Sequence, residues 1–188
     1  MSLKRKALLI ATIATIIISY GIAFRFILKS PNASLSIFST SKYKGNQLAN
    51  GSSPFRDCFG IGLFNGNARL TVKNGANSDA VVCLFDMNLG RTIRNEYVQK
   101  NTTHTIYNIR QGYYKIRVFF GNDWNPEIQN PCGVKGYFES DANFSEFDDV
   151  QYFEDNFNGY SIATITLYTI SGGNASTSGI SQSQFFGN

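Results

Sequence analysis

Residues Ala7 to Phe24 read ALLIATIATIIISYGIAF, 18 positions without a charge. As a helix such a run is roughly 27 Å long, close to the thickness of a bilayer's hydrocarbon core. A helix in a soluble core would need a polar face, and only hydroxyls interrupt the apolar surface here. Lys4, Arg5 and Lys6 stand just before the run, so the positive-inside bias keeps the N-terminus cytoplasmic and sends the rest across, although Arg25 and Lys29 reduce the asymmetry. The expectation is a cytoplasmic tail over 1–6, a transmembrane signal anchor over 7–28, and an extracytoplasmic remainder. The alternative is secretion after signal-peptide cleavage behind Ala23, since Gly21-Ile22-Ala23 offers small residues where a signal peptidase wants them. Against cleavage, apolar character resumes in Phe24-Arg25-Phe26-Ile27-Leu28. The first cysteine is Cys58, too far along for a lipoprotein anchor.

The same segment explains the chain's basicity. Of 17 basic residues, five lie in residues 1–29, which hold no acid, and the other 12 face all 13 acids. The exported part is therefore close to neutral, and from Gly136 onward it carries seven acids and no base. A phosphate backbone demands the opposite footprint, so nucleic acid is set aside as a partner.

Residues 29–54 are rich in Ser, Asn and Lys with scattered apolar positions, the composition of a flexible tether. From Phe55 to the C-terminus short apolar runs are punctuated by Gly, Asn and Asp, which points to an all-β sandwich over 55–188. In Ala68 to Lys73, Ala68, Leu70 and Val72 alternate with Arg69, Thr71 and Lys73, a half-buried strand. Ala80 to Phe85 (AVVCLF) is apolar throughout and reads as a central strand covered on both faces. Further strands are expected at Thr92 to Val98, His104 to Ile109, Tyr113 to Phe120 and Tyr160 to Ile170. The tail after Ile170 is small and polar except for Phe185 and Phe186, which either dock it or leave it loose.

Three cysteines in an exported chain allow one disulfide and one thiol. Cys83 lies inside AVVCLF and suits a small buried hydrophobe. Cys58 and Cys132 sit in loop-like contexts and are the candidate pair, with two free thiols as the alternative. His104 is the only histidine and cannot build a metal site unaided. No Gly-x-Ser-x-Gly elbow is present, and Cys83 is too apolar in context for an activated nucleophile, so no enzyme is expected. The acids Glu139, Asp141, Glu146, Asp148, Asp149, Glu154 and Asp155 are the one candidate for a cofactor, Ca²⁺, because that ion takes clustered carboxylates; the alternative is a solvated acidic loop with embedded aromatics (Phe144, Phe147, Tyr152, Phe153). Asp141-x-Asn143-x-Ser145 opens like an EF-hand loop but puts Glu146 at the glycine position and Tyr152 at the bidentate-Glu position. Trp124, the sole tryptophan, falls in Gly121-Asn122-Asp123-Trp124-Asn125-Pro126, read as a loop. With Tyr113, Phe119 and Tyr137 it is the candidate ligand- or partner-contact platform, or else it folds back to cap the core.

Ile109-x-x-Gly112-x-Tyr114-x-Ile116-x-Val118 resembles the recurring hairpin of bacterial transthyretin-like and carboxypeptidase-regulatory-like β-sandwiches, in which an apolar strand turns at Gly into a Tyr-led strand. The Gly121–Pro126 segment, Thr166-Leu167-Tyr168, Gly172-Gly173-Asn174 and Phe185-Phe186 together resemble an uncharacterised domain at the C-terminus of bacterial envelope proteins. These resemblances imply an immunoglobulin-like or transthyretin-like sandwich and carry no site residues. Five Asn-x-Ser/Thr sequons (Asn32, Asn50, Asn101, Asn143, Asn174) are informative only in a eukaryotic secretory context. The combined expectation is a non-enzymatic, membrane-anchored accessory or structural subunit of a cell-envelope assembly, acting on other envelope proteins. The alternative is an exported module binding a glycan or another envelope polymer.

Overall fold

Period-two alternation decides most of this fold. A computed structural model of the chain describes residues 41–75, 77–167 and 176–187, and the anchor expected at 7–28 lies outside them. Among the described residues no helix is long and apolar enough to cross a membrane, and the architecture is all-β. Its elements are α1 (Arg56–Phe59), β1 (Ala68–Asn74), β2 (Asp79–Asp86), β3 (Arg91–Val98), β4 (Thr102–Ile109), β5 (Gly112–Gln129), β6 (Lys135–Phe147), β7 (Gln151–Phe153), β8 (Asp155–Asn156), β9 (Gly159–Tyr160), β10 (Ile162–Thr166), β11 (Thr177–Gly179) and α2 (Gln182–Phe186).

A three-stranded sheet runs β10-β1-β4, and a six-stranded sheet runs β11-β6-β5-β2-β3 with β7 also on β5. β8 and β9 form a separate hairpin. The pairing of β10 with β1 is parallel, joining Arg69 to Ile162 and Lys73 to Thr166; the other pairings are antiparallel. Leu70, Val72 and Ile106 of the smaller sheet share one core with Val82, Leu84, Ile116 and Val118 of the larger. At about 1.5–3 kcal/mol for each fully buried aliphatic side chain, this shared layer is a main source of stability.

The larger sheet is buried on its other face too. Val81 and Cys83 of β2, Tyr97 of β3, Phe119 and Trp124 of β5 and Phe138 of β6 form a second cluster, covered by Phe55 and Phe59 at α1 and by Phe185 and Phe186 of α2. This is why AVVCLF carries no polar alternation. The tail docks by its two rings: α2 begins at a capping box in which Ser181 and Gln184 satisfy each other's backbone N–H, and β11 adds to the edge of β6.

Residues 41–54, the second half of the segment read as a tether, are laid along the domain. The Gly45 amide donates to Asp123 Oδ1 at 2.7 Å, and Asn46 exchanges hydrogen bonds with the Trp124 backbone. Gly51 and Ser52 bond both backbone groups of Tyr97, and the Leu63 amide donates to Ile93. The free edge of β3 is thereby shielded by the chain's own N-terminal arm. Cys58 of α1 is joined to Cys132 in the β5–β6 turn, with Cα atoms 5.7 Å apart, inside the range a disulfide requires. Cys83 is a buried free thiol, and desolvation pushes its pKa up.

Two segments read as loops are strands. β5 continues through Gly121–Pro126 because a register shift between Phe120 and Asn122, with Asp123 at φ 59°, absorbs the irregularity as a bulge. The acidic stretch after Lys135 forms β6, whose polar side faces solvent while Phe138 and Phe147 turn inward.

Candidate functional site

The four rings expected to form a platform do not share a surface. Trp124 is 2 % exposed, packed between Phe138, Tyr97 and Phe55 at centroid distances of 5.1, 5.7 and 5.9 Å. Phe119 is fully buried and stacks on Phe144 at 4.4 Å. Tyr137 is half-buried, its ring 4.8 Å from Phe119, and burial raises its pKa, opposed by a hydrogen bond from Gln182. For Trp124 and Phe119 the core-capping alternative therefore replaces the contact role, because a ring with no open face has nothing to offer a ligand. β5 alternation assigns Phe119 to the second cluster, and the bulge at Asp123 turns Trp124 to the same side.

Tyr113 alone of the four is exposed, at 52 %. It stands opposite Tyr152 in the β5–β7 pairing, with ring centroids 4.7 Å apart. The Met87 amide donates to the Tyr113 carbonyl at 3.0 Å, and Met87, Leu89 and Val150 are also exposed. These side chains belong to the β2–β3 turn, the start of β5 and the entry to β7, so they gather at one end of the larger sheet. Tyr113 is legible in the sequence as a contact candidate, whereas Tyr152 is masked by the acids around it.

A second exposed group lies on the outer face of the smaller sheet. The Arg69 guanidinium sits 5.5 Å from the Tyr107 ring centroid and 5.4 Å from that of Tyr160. The three residues come from β1, β4 and β9, and only the parallel β1–β10 pairing brings the third beside the first two. Thr71 and Thr105 meet at 3.2 Å in the next row.

His104 is met by Glu96, not by the acidic run. Its Nε2 lies 2.6 Å from Glu96 Oε2, and the other oxygen of Glu96 pairs with Arg94, whose guanidinium also donates to the Tyr107 carbonyl at 2.6 Å. Glu96 and Arg94 are buried, and the chain of charges seals the seam between β3 and β4, the edge strands of the two sheets. Gly51 presses on the imidazole: a Cβ there would stand 2.8 Å from His104 Cε1. Beside Arg94, a cavity of about 210 Å³ is lined by Ser53, Arg56, Ile61, Phe64 and Asn95, and the Phe64 ring lies 4.1 Å from the guanidinium.

The acidic run is distributed to separate partners. Glu139 accepts from Asn125, Asp141 from Asn122, Asp148 from Ser178 and Asp155 from Asn67, while Glu146 pairs with Arg117 and Lys115. Ser176 and Ser178 hold the Asp148 carboxyl below its ordinary pKa. Among the described residues no group of three or more His, Cys, Asp or Glu side chains is placed to hold a metal ion. Comparison with protein-family models, curated proteins and solved structures finds no match.

Proposed function

We propose that this protein is a non-enzymatic, membrane-retained accessory subunit of a cell-envelope assembly, working through protein contacts of a β-sandwich of immunoglobulin-like or transthyretin-like kind. Residues 7–28 hold it in the membrane with the N-terminus cytoplasmic and the folded domain extracytoplasmic. The observation that supports contact through the domain is the exposed pair Tyr113 and Tyr152 with Met87, Leu89 and Val150 around it. Tyrosine and methionine are enriched in protein interfaces, where a large ring supplies contact area at low entropic cost and its hydroxyl tolerates a wet rim.

The test is purification of tagged full-length protein in mild detergent, beside a Tyr113→Ala/Tyr152→Ala variant. The wild type is expected to carry a stoichiometric envelope partner that the variant loses while keeping its β-sheet circular dichroism. A monomeric, partner-free wild type counts against the proposal.

A further inference from the structure

We infer that the outer face of the smaller sheet binds an acidic polysaccharide along strand β1, a site separate from the Tyr113–Tyr152 patch. Outward-facing Arg69, Thr71 and Lys73 alternate along β1, so the two cations stand about 13 Å apart at 3.3 Å per residue. Thr105 and Thr103 of β4 flank Thr71 and Lys73 on one side, Thr164 and Thr166 of β10 on the other. Tyr107 and Tyr160 flank Arg69 and remain 52 % and 44 % exposed, and Ile162, its register partner on β10, is 68 % exposed.

Two features of this face ask for an anion. Neither Arg69 nor Lys73 pairs with a carboxylate among the described residues. The acids of the neighbouring hairpin are turned elsewhere, Asp155 to Asn67 and Glu154 to Asn156. Two standing positive charges a fixed distance apart on a rigid sheet match a polymer that repeats its negative charge, and a planar guanidinium takes a carboxylate through two parallel N–H donors.

The remainder of the face selects a sugar over a protein. The centre of a protein interface is dry and apolar, whereas the middle of this face is a row of threonine hydroxyls, which donate to and accept from sugar hydroxyls. The two tyrosine rings, each with one face toward the Arg69 guanidinium, turn their remaining exposed surface to the C–H side of a pyranose at one end of the strip. An acidic protein segment would satisfy the cations but bring few hydroxyls to the threonine row, in which Thr71 and Thr105 already bond each other.

Calorimetric titration of the full-length protein in detergent with short galacturonate oligomers tests the proposal, the methyl-esterified oligomers serving as a charge-neutral control and poly-glutamate as the acidic-peptide control. The acid form is expected to bind, with affinity falling as salt rises. The variants Arg69→Gln, Tyr107→Ala and Tyr160→Ala are expected to bind about tenfold more weakly, the loss of one charge-assisted or stacking contact, and the ester, which loses the pairing to both cations, about a hundredfold more weakly. All three side chains are exposed, so melting temperatures should hold, and circular dichroism checks each variant's fold. Equal binding of acid and ester, tighter binding of poly-glutamate, full affinity in Arg69→Gln, or no heat at millimolar oligomer each overturns the assignment.

Discussion

At the scale of single residues, the second hydrophobic cluster makes the sharpest predictions. Trp124 is enclosed by Phe55, Tyr97 and Phe138, so Trp124→Ala should cost about 3–5 kcal/mol of folding stability, the range for deleting a buried aromatic ring. Denaturant midpoints check this, and a variant of wild-type stability would place the ring outside the core. Gly136 has φ 125°, and a Cβ on it would stand 2.6 Å from Trp124 Cζ2. Gly136→Ala therefore meets strained backbone and an occupied site together, and should destabilise at least as clearly as an ordinary glycine change of about 1 kcal/mol. How legible such residues were depended on their neighbours. Leu70 and Ile116 announce their burial through alternation, since each has polar neighbours one position away on both sides. Trp124 is surrounded by Asn, Asp and Pro, which spell a turn locally. Its burial comes from a bulge at Asp123 and from ring contacts with residues 69 positions earlier and 14 later in the chain. Likewise nothing near His104 in sequence marks Glu96 as its partner; the β3–β4 connection does.

At the scale of elements, strands that end where their alternation ends were readable from composition, and elements held by distant partners were not. β1 to β4 occupy the runs the sequence marks. β6 was hidden because its exposed side carries the acids that made it read as a loop. The arm over 41–54 is hidden because its hydrogen-bond partners, among them Asp79, Tyr97, Gln99, Asp123 and Trp124, lie tens of positions away in sequence. Asp123 contributes to that attachment: its carboxyl is held below the ordinary pKa by hydrogen bonds from the Gly45 amide and Ser140. A depressed folded-state pKa means stability that is present above the ordinary carboxylate value and lost as pH falls through the folded one. The arm should accordingly loosen in acid, visible as faster amide exchange at Gly45 relative to β2; Asp123→Asn should remove that acid dependence. The disulfide anchors the same region from the other side. Its cysteines are 74 positions apart, and in the chain-entropy model closing such a loop contributes about 4 kcal/mol. Reduction should lower the melting temperature, whereas Cys83→Ala, which removes the buried free thiol, should leave the sensitivity to reductant unchanged.

At the scale of the whole molecule, the larger sheet is a layer between two cores, and each core holds a tyrosine that must stay protonated. Tyr114 faces the core shared with the smaller sheet and donates its hydroxyl to the Arg110 carbonyl at 3.0 Å. Burial, with Asp86 nearby, pushes its pKa from the ordinary 10.0 up to about 12. Tyr97 faces the second cluster and donates to Asp79 Oδ2 at 2.6 Å. Desolvation is the first cause of its upward shift, and the hydrogen bond to a carboxylate that cannot donate in return is the second. Both shifts have the same sign: below the ordinary tyrosine value both phenols are protonated in folded and unfolded chains alike, and pH has no leverage through them. Above it the unfolded chain releases the protons while the folded chain retains them, so stability falls as pH rises through the folded-state values. The two groups sit on opposite faces of one sheet, so their ionisation should undermine both cores within one cooperative transition. Denaturant midpoints measured from about pH 8 to about pH 11 should be level at first and then decline. Tyr97→Phe, which cannot ionise, should start from a lower plateau because Asp79 loses a donor, yet decline less steeply; Tyr114→Phe should flatten the curve as well. Identical slopes in wild type and both variants would mean that the alkaline sensitivity arises elsewhere in the chain.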